Sequence, residues 1–183
     1  MSARTIARRG SALLGIGLLA VGLAMPPAVA DENMRFRGAL VAEPCVIPPG
    51  EEQIQLDFGT IVDKYLYLNT RTPSQLFTLH LAECDLSLGN TVSVTFSGTE
   101  NAKLPGLLAL DSASSASGIA IGLEDREGQA LPLNSASDKY RLTAGSNLIA
   151  LQAYVQGEPQ AIQSKTIGRG EFSATATFSL EYE

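Results

Sequence analysis

The chain has 183 residues, with 13 Lys plus Arg against 19 Asp plus Glu, a formal charge of −6, one histidine and two cysteines. Such a balance argues against nucleic acid or an anionic membrane surface as a main partner, because no cationic surplus is available to neutralise phosphates. Two thiols make no zinc framework.

The first thirty residues carry Arg4, Arg8 and Arg9, then an apolar run from Ala12 to Ala24, then Ala28-Val29-Ala30. That order is a secretory signal peptide, with cleavage expected after Ala30. The apolar run is too short for a retained anchor and no later stretch reaches spanning length, so no direct membrane insertion is expected. Removing residues 1–30 leaves 153, enough for one ordinary domain and too few for two. Three of the basic residues leave with the signal, which gives the mature chain ten cations, nineteen acids and a charge of −9.

The opening segment Asn33–Ala42 alternates, with Met34, Phe36, Gly38, Leu40 and Ala42 on one face and Asn33, Arg35, Arg37, Ala39 and Val41 on the other. It is one strand more than the domain obviously needs. Pro44 and Cys45 then interrupt it. In a secreted chain, Cys45 and Cys84 are expected to form one periplasmic disulfide, which pins the first strand of the domain and leaves the preceding residues free to project.

Beyond Cys45 the chain reads as short period-two segments separated by Gly, Pro, Ser and Asn clusters, with no sustained helical stripe. The predicted strands are Gln53–Phe58, Gln75–Glu83, Thr91–Ser97, Gly118–Leu123, Asn147–Tyr154 and Gly170–Tyr182, with a weaker one near Leu107–Leu110. This is an all-β pattern, and seven or eight such strands make a sandwich. Breaks fall at Pro48-Pro49-Gly50, Leu88-Gly89-Asn90, Asp111–Ser117, Asp125–Gly128 and Gly157-Glu158-Pro159, none long enough to link two domains. In the last strand Phe172, Ala174, Ala176, Phe178, Leu180 and Tyr182 face one way and Ser173, Thr175, Thr177, Ser179 and Glu181 the other. With the chain ending at Glu183, nothing is expected to pair with the far side of that strand.

Chemistry-bearing residues are sparse. His80 lies within the alternation of Gln75–Glu83, where a structural role is the ordinary one, and Glu83 and Asp85 lie at a strand end where solvated charges are common. No Gly-x-Ser-x-Gly elbow or Ser-x-x-Lys occurs, and Asp125-Arg126-Glu127-Gly128 lacks calcium-loop spacing. No catalytic residue, metal site or cofactor is expected.

Taken in order, Phe36-Arg37-Gly38-Ala39-Leu40, Pro44-Cys45, Cys84, Ser97-Gly98-Thr99-Glu100, Leu104-Pro105-Gly106, Gly118-Ile119-Ala120-Ile121, Gly170, Ala174-Thr175-Ala176-Thr177-Phe178 and Tyr182 resemble the chaperone–usher pilins, in particular the minor tip and adaptor subunits of P pili. The resemblance implies an incomplete immunoglobulin-like sandwich lacking its last (G) strand, with an N-terminal donor-strand extension. A groove then lies open along Gly170, Phe172, Ala174, Ala176, Phe178, Leu180, Tyr182 and Glu183. A periplasmic chaperone fills it first, and at the outer-membrane usher the extension of a neighbouring subunit replaces the chaperone. In this chain the implied extension is residues 31–42, which offers Met34, Phe36, Gly38 and Leu40, and the implied pilin domain is residues 43–183. The function so implied is a structural minor subunit of an extracellular pilus that supports cell adhesion. The alternatives are a major rod subunit, a terminator, or a glycan-binding adhesin, though an adhesin's separate lectin domain finds no room here.

Overall fold

A computed structural model describes residues 37–183. The expected signal peptide and the positions Met34 and Phe36 lie outside the described residues. The chain divides into two units, Met1–Ala39 and Leu40–Glu183. The described part of the first, Arg37 to Ala39, is exposed and irregular.

The second unit is a two-sheet β sandwich. Strands β1 (Gln75–Cys84), β2 (Thr91–Ser97), β3 (Glu100–Asn101), β4 (Leu104–Leu108), β5 (Ile119–Asp125), β6 (Tyr140–Arg141), β7 (Gly145–Gly157) and β8 (Thr177–Tyr182) form it, with two short helices, α1 (Asp63–Asn69) and α2 (Pro159–Ser164). One sheet has the order β1-β7-β5-β4-β3 and the other the order β6-β2-β8, and every strand pair is antiparallel. Period-two patterning decides which side chains enter the space between them. Leu79 and Leu81 of β1, Val92, Val94 and Phe96 of β2, Ile119 and Ile121 of β5, and Ile149, Leu151, Ala153 and Val155 of β7 are all buried in one core. The alternate residues Leu76 and Leu148 are exposed. Cys45 and Cys84 are joined by a disulfide within that core, and Val46 and Ala82 exchange hydrogen bonds of 2.9 and 2.8 Å beside it.

Several expectations need correction. Leu40, Val41 and Ala42 form no strand and stand exposed, Leu40 fully so. Gln53–Phe58 belongs to no ladder among the described residues, although Leu56 and Phe58 do pack on the core. Of the predicted strand Gly170–Tyr182, only Thr177–Tyr182 is in a ladder. The weaker strand lies at Leu104–Leu108, slightly earlier than expected. The purely β reading also missed both helices. Helix α1 has one buried residue, Leu66, and ends at Thr70, whose φ is 66° and whose N–H donates to the Leu66 carbonyl at 2.8 Å. Helix α2 starts on Pro159, buries Ala161 and ends on left-handed Lys165. Each is too short to show a helical stripe and is stabilised by the sheet it covers.

Candidate functional site

β8 pairs with β2 on one side and, among the described residues, with nothing on the other. Its register is set at the end of the chain, where Asn90 and Thr91 N–H donate to the Glu183 carbonyl at 2.8 and 3.0 Å and Glu183 N–H donates to Thr91 O at 3.0 Å. In an antiparallel ladder only every second residue exchanges bonds with a given neighbour, so Glu181, Ser179 and Thr177 use β2 as Glu183 does. The backbone groups of Phe178, Leu180 and Tyr182 therefore point to the open side.

Upstream of β8 the same alternation continues against a loop. Glu171 O accepts from Ser115 and Ala116 N–H at 2.8 and 3.1 Å, and Ser173 O accepts from Asp111 N–H at 2.8 Å. Ser173 N–H donates to Ser114 Oγ at 3.0 Å, and Thr175 Oγ1 donates to Asp111 Oδ2 at 3.1 Å. Phe172, Ala174 and Ala176 make no backbone–backbone hydrogen bond among the described residues. All six even-numbered residues from Phe172 to Tyr182 pack against the core but are only partly buried. The residues with open backbone groups are thus the ones whose side chains line the open edge of the core.

Gly170 fixes where this edge begins. Its φ of 149° lies in the region that disfavours side chains, and a Cβ there would sit 2.6 Å from Ser115 Cβ and 3.1 Å from Ala116 N. Glycine lets the strand run close beneath the 111–117 loop. At the far end Lys139 Nζ pairs with Glu183 Oε2, and the Tyr182 phenol is pushed up by burial and then by the charge of Glu43.

Residues 52–61 likewise make no backbone–backbone hydrogen bond among the described residues. Leu56, Phe58 and Ile61 nevertheless face the core, and the Phe58 ring lies 6.3 Å from that of Phe172. Beside Phe58 opens a cavity of about 330 Å³, lined by Phe58, Thr60, Ile61, Val62 and Tyr65 and by Thr72–Gln75. Arg169 joins α1 to the start of the last segment through hydrogen bonds of 2.9 and 2.6 Å to Asp63 Oδ2.

His80 does not point into the core. Its Nδ1 is 2.9 Å from Glu51 Oε2 and its Nε2 is 3.0 Å from Ser146 Oγ, so its carboxylate partner is Glu51 rather than Glu83 or Asp85. The order of groups is that of a nucleophile, base and orienting acid. Yet Glu51 and Ser146 are exposed, and none of the three residues lines the cavity beside Phe58. The chain acts as a clamp that holds the Pro48–Glu51 turn against β1 and β7. Among the described residues no group of His, Cys, Asp and Glu is placed to hold a metal ion.

The profile of the family described as Fimbrial protein matches residues 34–183. Among curated proteins, the fimbrial adapter PapK of Escherichia coli is 32% identical over 174 residues, covering 92% of this chain and 97% of its own. The major MR/P fimbria protein of Proteus mirabilis is 31% identical over 173 residues, covering 93% and 95%. Among solved structures, the crystal structure of the P pilus rod subunit PapA superposes with a TM-score of 0.67 at 23% identity, covering 77% of this chain and all of that one. An adapter and a major subunit are thus matched about equally well.

Proposed function

This chain belongs to the fimbrial protein family, the structural, non-enzymatic subunits of extracellular chaperone–usher pili, and we propose that it joins the fibre by accepting a strand along β8 and donating its own residues 31–42. The observation that carries this reading is the coincidence of open backbone groups and half-buried core side chains at Phe172, Ala174, Ala176, Phe178, Leu180 and Tyr182. A strand laid there bonds to those groups and covers those side chains in one step, which removes both defects of an open sheet edge. The unladdered residues 52–61 supply its second neighbour, so one inserted strand completes two ladders.

On this reading residues 1–30 are the signal, 31–42 the donor extension and 43–183 the pilin domain. The disulfide supports the division, since it ties Cys45 to the end of β1 and leaves Leu40 and Val41 exposed. Burying Met34, Phe36 and Leu40 in a neighbour contributes about 5–7 kcal/mol before any ladder bonds form. A periplasmic chaperone protects the groove before assembly and an outer-membrane usher exchanges it, as the family implies. Within the fibre we assign a minor, adaptor role. The likeness to P-pilus tip and adaptor motifs supports it, and a major rod subunit is the competing reading.

Amide hydrogen exchange tests the groove. With no partner present, the amides of Phe178, Leu180 and Tyr182 should exchange fast and those of Ser179 and Glu181 slowly; adding a donor peptide should protect all five. Uniform protection without a partner would refute the open groove. For the adaptor role, labelled subunits in assembled fibres should appear once or a few times near the tip, and labelling along the whole rod would overturn it.

A further inference from the structure

Glu124 is the most deeply buried acid of the described chain, 3% exposed, on the outer face of β5 away from the core between the sheets. Its Oε2 accepts from Arg71 Nη1 at 2.8 Å and its Oε1 accepts from Ser74 Oγ. The Arg71 guanidinium lies over the Tyr154 ring at 4.1 Å, and Tyr154 comes so close to Gly122 that a Cβ there would meet its Cζ at 2.1 Å. Thr72 N–H donates to Val155 O at 2.8 Å and Val155 N–H donates to Thr72 Oγ1 at 3.0 Å. Apart from the approach of Tyr154 to Gly122, each of these contacts acts on the connection between α1 and β1. One carboxylate grips that connection at Arg71 and again at Ser74, on both sides of Thr72-Pro73.

Thr72, Pro73, Ser74 and Gln75 are also one wall of the 330 Å³ cavity at the Phe58 end of the groove. Of the facing wall, Phe58, Thr60 and Ile61 belong to the segment without backbone partners, while Val62 and Tyr65 belong to the start of α1. The wall at Thr72–Gln75 is thus tied by hydrogen bonds, and the part of the other wall at Phe58, Thr60 and Ile61 is not. Only the Glu124 side of the pair is buried, the Arg71 side chain being 42% exposed; such a pair is a poor source of net stability, because desolvation of the carboxylate offsets much of the attraction, whereas it fixes geometry well. We propose that Glu124 is a positioning residue for strand capture: through Arg71 and Ser74 it holds the fixed wall of the cavity into which one end of an incoming donor strand seats. This rests on the acceptor-groove reading above.

The test uses the subunit bound to its chaperone and three probes: a synthetic peptide spanning Asp31–Ala42, and the same peptide shortened by two residues at one end or at the other. Glu124→Gln is expected to slow chaperone displacement by the full peptide about tenfold, the scale of losing a buried charge-assisted hydrogen bond. One of the shortened peptides, the one that no longer reaches the cavity, should displace the chaperone equally from both proteins. Ser74→Ala should slow the full peptide in the same selective way. Equal slowing with all three peptides, or none with the full one, overturns the positioning role, since a merely structural Glu124 has no reason to read peptide length. If none of the peptides displaces the chaperone from the wild-type subunit, the acceptor reading falls and the inference falls with it.

Discussion

Replacing Gly170 by alanine is the sharpest test of how the edge of the groove is built. Holding a residue with a side chain at a φ of 149° costs about 1–3 kcal/mol on its own. The new Cβ would also lie 2.6 Å from Ser115 Cβ, 3.0 Å from the Ser115 carbonyl carbon and 3.1 Å from Ala116 N. Two of those three atoms are backbone, so no side chain can simply swing aside, and overpacking of this kind costs about 1–3 kcal/mol more. The loop that must retreat is the one whose Ser115 and Ala116 N–H groups donate to Glu171 O. Gly170→Ala should therefore lower the stability of the donor-bound subunit by about 2–6 kcal/mol in equilibrium denaturation. Gly145→Ala is the control, since Gly145 has a φ of 88° but nothing within 4 Å of its virtual Cβ. It should show the strain alone, about 1–3 kcal/mol. Equal losses for the two variants would show that the close approach to Ser115 contributes nothing, and an unchanged midpoint for Gly170→Ala would refute the argument entirely.

Replacing both Cys45 and Cys84 by serine should reduce stability by roughly 4 kcal/mol through the lost loop constraint, read from the denaturation midpoint; a loss under about 1 kcal/mol would count against it. On the proposed donor-strand reading, Gly38→Leu should leave chaperone binding by this subunit intact while blocking displacement of the chaperone from a preceding subunit, because a glycine on the donor face would mark a place where the acceptor leaves no room. Equal displacement by substituted and unsubstituted Asp31–Ala42 peptides would refute that. The Asp63 carboxyl is held below its ordinary range, first by the Arg169 hydrogen bond. A depressed carboxyl contributes stability above its unfolded value and loses it as pH falls through its folded value, so the contribution should fade on acidification below about pH 4. Arg169→Gln should flatten that acid limb, and parallel stability–pH curves for the two proteins would exclude the pair as its cause.

The strands that complete themselves within the chain were legible because their period-two pattern and their hydrogen-bonded neighbours agree. β2 alternates apolar and polar residues strictly, β1, β5 and β7 carry core residues at every second position, and each finds a ladder partner inside the domain. Gln53–Phe58 and Gly170–Ala176 alternate just as well, and their side chains do face the core, but a strand also needs a neighbour for its backbone. Patterning reports side-chain burial and is silent on whether a partner exists, so both segments read as strands and neither is one among the described residues. Both segments are the ones that the proposed acceptor groove involves.

From sequence alone, then, came the disulfide pairing, the sandwich class and the side-chain face of the last segment, since each follows from composition or local periodicity. Only the tertiary structure decided the rest. The helices α1 and α2 carry one buried residue each and are held by the sheet rather than by their own propensity. Glu124 reads in sequence as a charge near a turn; its burial is made by Arg71, 53 residues earlier, and Ser74, 50 residues earlier. Contacts at that separation leave no periodic trace, because they depend on which strands come to lie side by side and not on the residues next in the chain.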